Sequence, residues 1–242
     1  ISYSILYKMK KNLNQKLINL IEYYNLINAN LLMNDSPIKR TGSNTLNIST
    51  GTKLEKLEKL KKKIALIRNC ELKKNAKNLV FGDGNIKAKI MIIGEGPGAN
   101  EDAEGKPFVG RAGKLLDKML SAIKLDRTKV YISNVVNYRP PQNRKPTEEE
   151  ISRYLPYLKT HIEIIDPKIL ILLGSTALNT LIGNEVVISK ARGKWVRKEI
   201  GTTKPWIIAS FHPAFLMRQP EQKKLAWIDL KMIREKSKIL KI

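Results

Sequence analysis

The chain is short of the residues that staple or anchor proteins. Its 242 residues contain one cysteine, Cys70, which excludes an internal disulfide and any all-cysteine metal site within one chain, and fits a reducing compartment. Long apolar runs are missing: none approaches the roughly 18 to 20 residues of a membrane span. The start, ISYSILYKMKKN, has no signal-peptide cleavage pattern. A soluble, cytoplasmic protein without a membrane partner is expected. Acidic residues are in deficit, 22 against 45 lysines and arginines, for a net charge of +23. Such an excess attracts a polyanion such as DNA through counterion release. Lysine, isoleucine and asparagine are abundant throughout, so a composition bias that merely yields a solvated basic surface stays open as the alternative.

What is present is enough for one core domain and an extension. Apolar residues recur at helical spacing from Asn12 to Leu32, whereas residues 34–51 are rich in Asn, Ser, Thr and Gly and read as a linker. Thr52 to Arg68 repeats leucine at helical intervals between Glu and Lys, which predicts an amphipathic helix. The division expected is an amino-terminal helical extension and linker over 1–52 and a domain over 53–242. From Ala88 onward, apolar strands (KIMIIG, VYISNV, KILILLG, WIIASF) alternate with helices over residues 112–123, 147–165 and 175–182. Continuous apolar strands separated by helices predict an α/β fold, a three-layer α/β/α sandwich around a mostly parallel sheet of about four strands.

The segment IIGEGPGANEDAEGKPFVGRAG, Ile92 to Gly113, runs from a strand into a glycine-rich turn carrying Glu95, Glu101 and Asp102. Carboxylates on such a turn suggest hydrolysis. The glycines do not satisfy GxGxxG, and Pro97 stiffens the turn, which disfavours a dinucleotide fingerprint. Two later segments, NVVNYRPPQNRKP from Asn134 and SFHPAFLMR from Ser210, also follow apolar strands. All three fall at carboxyl ends of strands, where ligands bind in parallel sheets.

Taken in order, GEGPG, GKPFVGRAGKLLD, YISNVV with RPPQNR, and HPAFLMR resemble the family 4 uracil-DNA glycosylases, from about Cys70 to Trp227. The resemblance implies a fold of that superfamily and a glycosylase that releases uracil from single- or double-stranded DNA, leaves an abasic site and initiates base excision repair. It implies that Glu95 activates water and that His212 stabilises the uracil oxygen. Asn134 would read the base through N3 and O4, and Phe108 would stack on it. Glu101 would lie near the C5 edge, Gly96 would let backbone approach the sugar and base, and Asn143 would be a further active-site amide. Taken alone, Asn134 also reads as a strand cap and Phe108 as core. His161 lies outside every motif and reads as surface or packing.

HPAFLMR implies a second role. Pro213 would stiffen a turn whose apolar tip, Phe215, Leu216 and Met217, wedges into the duplex while Arg218 meets phosphate; a buried loop is the alternative. Most members of the family bind a 4Fe–4S cluster through four cysteines. Here the corresponding positions are Ile67, Cys70, Tyr138 and Tyr154, so no cofactor and no metal are expected, with packing in the cluster's place. A monomer is expected. A uracil-DNA-crosslinking relative is disfavoured because residues 134–146 lack a histidine. A non-catalytic DNA-binding module would leave Glu95, Asn134 and His212 unexplained.

Overall fold

The computed structural model describes residues 48, 50–183 and 186–242. The expected helix from Asn12 to Leu32 and nearly all of the expected linker lie outside them. Ile48, within that linker, is buried in the core.

Helix α1, Lys53–Ala65, begins where the sequence places it. Thr52 caps it, accepting the Glu55 amide while the Glu55 side chain accepts the Thr52 amide. Its buried residues Leu57, Leu60 and Ile64 fall three and four apart, which puts them on one face. That face packs on the long helix α5, Glu148–Ile165, and Lys53 Nζ donates to the Ile165 carbonyl at 2.8 Å. Between them in sequence come α2 (Glu71–Asn75), β1 (Asp83–Gly84), β2 (Ile90–Gly94), α3 (Ala99–Glu104), α4 (Arg111–Ser121) and β3 (Val130–Asn134). After α5 follow β4 (Ile169–Leu173), α6 (Ser175–Leu181), α7 (Ile188–Ala191), β5 (Trp195–Arg197), β6 (Trp206–Ser210), α8 (Pro213–Arg218) and α9 (Lys223–Ile239).

The sheet has six strands in the order β1-β3-β2-β4-β6-β5. The four inner strands are parallel, and β1 and β5 add antiparallel edges. These edges make the sheet larger than the four strands read from sequence. Two or three residues are too few to display a hydrophobic period. Alternate strand residues serve opposite faces. Met91, Ile93, Leu170 and Leu172 join the α1 and α5 side of the core, whereas Ile90, Ile92, Ile169 and Ile171 join the side of α4 and α9. The result is the expected three-layer α/β/α sandwich.

Helix α9 was not apparent from hydrophobic periodicity. Its buried residues are Ala226, Asp229, Leu230, Ile233 and Ser237, and the two polar ones dilute the stripe. Asp229 is buried because it pairs with Arg192 and accepts Ser210 Oγ at 2.6 Å. Burial of a carboxylate is tolerable when its oxygens are matched in this way.

Candidate active site

Chain order sends β2 to β3 on one side and later elements to β4 on the other, so the sheet's topological switch lies between β2 and β4. A crevice at the carboxyl ends of strands flanking such a switch is the usual ligand position in open α/β sheets. A cavity of about 190 Å³ lies there, lined by Glu95, Gly96, Glu101, Phe108, Asn134, Asn143 and His212 among others.

Gly94 ends β2 under the most crowded part of the site. A Cβ there would lie 2.5 Å from Asn134 Oδ1 and 2.5 Å from Phe108 Cζ. Only glycine lets both side chains reach the cavity floor. Asn134, the last residue of β3, is buried, and its Oδ1 is buried without a hydrogen-bond partner among the described residues. An orphaned buried acceptor costs about 1–3 kcal/mol, so this atom is poised for an external N–H donor.

Phe108 is also buried, with its ring 5.5 Å from that of His212. It has a positive φ of 55°, and the surrounding loop is held in three ways. The Arg127 guanidinium donates to the Pro107 and Phe108 carbonyls and pairs with Asp83 and Asp117. Gly113 lets the loop lie on α4, since a Cβ there would sit 1.8 Å from the Phe108 carbonyl oxygen. Glu101 is a third clip: it accepts Gly98 N at 3.1 Å through Oε2, and Val109 N at 2.9 Å and Gly110 N at 2.8 Å through Oε1. The carboxylate thus joins the turn after β2 to the Phe108 loop, a task beyond contact with a base edge.

Glu95 is partly buried, and Thr176 Oγ1 donates to its Oε2 at 2.5 Å. His212 caps α8, accepting the Ala214 amide through Nδ1 at 3.2 Å. Burial, with the Arg218 cation second, lowers its pKa from 6.5 to about 4, against an opposing pull from Glu101. The imidazole is therefore neutral at physiological pH. Asn143 sits at the exposed rim in a short 3-10 turn, Pro141–Asn143, where its Oδ1 accepts Arg139 Nε at 2.8 Å.

The wedge expectation needs correcting at Leu216. HPAFLMR forms a helical turn and a half rather than an open loop, and Leu216 is 1 % exposed in the core with Ile208, Phe211 and Ala226. Pro213 is buried at the first helical position, and the Phe215 ring packs tilted against Phe211 with centroids 4.9 Å apart. Met217 remains partly exposed and Arg218 exposed. His161 is a packing residue: it is buried, stacks on Phe81 at 4.3 Å and hydrogen-bonds the Tyr131 hydroxyl at 3.0 Å.

Sequence reasoning missed Thr176 and Arg127. Thr176 had one available signal, its place just past the carboxyl end of β4. Arg127, in the loop before β3, carried none.

The four cluster positions converge on one side of the core. Cys70, Tyr138 and Tyr154 are buried there, and Ile67 packs against the same cluster. Cys70 Sγ lies 3.3 Å from the Tyr154 hydroxyl in a buried hydrogen bond. Burial first, then the neighbouring Cys70, pushes both phenols above their ordinary range. One thiol, two phenols and an aliphatic side chain do not fit an iron–sulfur cluster, which needs four thiolates or their equivalent.

A sheet with this switch-point crevice and with carboxylate, amide and histidine gathered at its strand ends has the make-up of an α/β enzyme's active site. The model of the "Uracil DNA glycosylase superfamily" matches residues 81–231, and the chain belongs to that superfamily. Within it the chain falls with the type-4 uracil-DNA glycosylases. The protein of that name from Sulfurisphaera tokodaii is 42% identical over 190 residues, covering 75% of this chain and 85% of the relative. Those from Archaeoglobus fulgidus (40% over 186 residues, 75% and 94% covered) and Thermotoga maritima (42% over 168 residues, 69% and 86%) are similar to the same degree.

Proposed function

We propose that the protein is a uracil-DNA glycosylase that hydrolyses the N-glycosidic bond of deoxyuridine in DNA, releasing uracil and leaving an abasic site that initiates base excision repair. The observation that carries this reading is the unpartnered, buried Oδ1 of Asn134 at the floor of the cavity. Uracil N3–H is a donor of the required kind, and the same amide's NH2 can donate to O4. Phe108 supplies an apolar face on which a flipped base stacks.

Cleavage breaks the bond between C1′ and N1, and the electron pair leaves with uracil. The Nδ1 of His212 is occupied by the Ala214 amide, so Nε2 carries the proton of the neutral ring and donates to uracil O2 as negative charge grows there. Glu95 holds a water molecule against the oxocarbenium-like sugar, takes its proton as the oxygen bonds to C1′, and passes the proton to solvent or to departing uracil. Glu101 and Arg127 keep the Phe108 loop closed over the base. Phe215, Met217 and Arg218 form the edge that meets the strand from which the base has been turned out, with Pro213 and Leu216 as its anchor. Asn143 and Gly96 line the approach to the sugar.

This reaction needs no metal, and packing of Ile67, Cys70, Tyr138 and Tyr154 takes the place of a cluster. The assembly proposed is a monomer. The catalytic domain is taken as 53–242 and 1–52 as an extension whose Ile48 already packs into the domain's core. A cytoplasmic location goes with a DNA substrate and a lone free cysteine.

The test is incubation with a uracil-containing single-stranded oligonucleotide, then alkali. Wild type is expected to give strand breaks at uracil. Glu95→Ala is expected to be slower by roughly two to four powers of ten, and Asn134→Asp to lose uracil excision sharply. An intact wild-type strand, or an Asn134→Asp variant with full activity and unchanged preference over cytosine, sinks the reading.

A further inference from the structure

We infer that Thr176 is a positioning residue for this reaction: its hydroxyl sets the orientation of the Glu95 carboxylate. The inference rests on the reading of Glu95 as the catalytic carboxylate and extends it to the first turn of α6, which none of the glycosylase-like motifs includes.

Glu95 is held from two sides because β2 lies between β3 and β4 in the sheet. One residue beyond β2, the Glu95 carbonyl accepts Val136 N at 3.2 Å, which continues the ladder toward β3. On the β4 side, Thr176 Oγ1 donates to Glu95 Oε2 at 2.5 Å. Among the described residues this is the only hydrogen bond to the carboxylate. The hydroxyl arrives on a fixed backbone: Gly174 N donates to the Ser210 carbonyl at 2.9 Å, and Thr180 Oγ1 donates to the Thr176 carbonyl at 2.7 Å.

A glutamate side chain beside two glycines has rotamer freedom that must be lost before it can address a reacting atom. A hydroxyl donating to an ionised oxygen makes one of the stronger hydrogen bonds available to a side chain. With Oε2 committed to Thr176, Oε1 is left for water. Misplacing a reacting group by about an ångström costs on the order of a hundredfold in rate, and that is the loss Thr176 prevents.

The test measures single-turnover excision and KM on a single-stranded uracil oligonucleotide for Thr176→Val, Thr176→Ser, Glu95→Ala and the Glu95→Ala/Thr176→Val double variant, with thermal melting of each. Thr176→Val is expected to slow the chemical step by about 10- to 100-fold with KM little changed, and Thr176→Ser to restore it. Added to Glu95→Ala, Thr176→Val is expected to cost nothing further. If Thr176→Val does not fold, Thr176→Ala replaces it in the same comparisons. A wild-type rate for the valine variant, a serine variant as slow as valine, or an undiminished loss in the double variant overturns the inference. A fast Glu95→Ala variant instead overturns the underlying reading of Glu95.

Discussion

His212 Nδ1 accepts the backbone amide of Ala214 at 3.2 Å, and this contact decides which ring nitrogen carries the proton. An N-capping imidazole must present a lone pair to the helix, so its proton sits on Nε2. The cap that starts α8 therefore also selects the tautomer of the ring.

Because burial holds His212 near pKa 4, the ring remains neutral across the pH range in which an ordinary histidine titrates. Excision should show no inflection near pH 6.5 assignable to this residue. His212→Ala is expected to lower the single-turnover rate by roughly 10²- to 10³-fold, the scale of a lost oxyanion donor, with a smaller effect on binding. A wild-type inflection near pH 6.5 that vanishes in His212→Gln would show that the imidazolium form acts instead.

His161 is lowered further by burial, to about 3 against an ordinary 6.5. The unfolded chain takes up this proton near pH 6.5 and the folded chain resists it to about pH 3. Stability is therefore lost as pH falls through that window and is unaffected by this group above it. His161→Phe keeps the stack on Phe81 but strands the buried Tyr131 hydroxyl, which should cost about 1–3 kcal/mol at pH 7. Its acid-side decline should nevertheless be shallower than that of wild type. Urea unfolding at several pH values checks both points, and parallel curves would assign the acid sensitivity elsewhere.

The burial of Leu216 separates two variants that a surface wedge would make alike. Leu216→Ala should destabilise the protein by about 2–5 kcal/mol, as a core truncation does, and impair single- and double-stranded substrates together. Met217→Ala should leave melting nearly unchanged and weaken action on duplex uracil more than on single strands, since only the duplex must be held open. Equal loss on both substrates for Met217→Ala would remove it from the duplex edge.

Protein purified anaerobically should be colourless and hold no stoichiometric iron or sulfide, and chelators should leave its activity intact. Cys70→Ala should lose the hydrogen bond with Tyr154 and a modest amount of stability while excision persists. A full complement of iron and sulfide on elemental analysis would require ligands other than those at Ile67, Tyr138 and Tyr154.

The inner strands were legible because each is an unbroken apolar run buried on both faces. Edge strand β1 is two residues long, below the length at which any period exists. Helix α9 hid because Asp229 and Ser237 occupy its buried face, where Arg192 and Ser210 satisfy Asp229 and the Ile233 carbonyl accepts the Ser237 hydroxyl. At the site, residues carried by motifs were legible, but their surroundings were not. That Glu101 would be consumed by three backbone amides, or that Thr176 would reach Glu95, depends on turns whose geometry no spacing rule encodes. Leu216 was misread because HPAFLMR was taken as a turn; once it is a helix, one of its faces must meet the core.

Leu216 also makes α8 behave as a short lever with its fulcrum in the core. His212 caps one end, and Met217 and Arg218 stand at the other. Six residues anchored in the middle tie the placement of the capping His212 to that of Met217 and Arg218, so a core substitution at Leu216 should disturb both ends of the helix together.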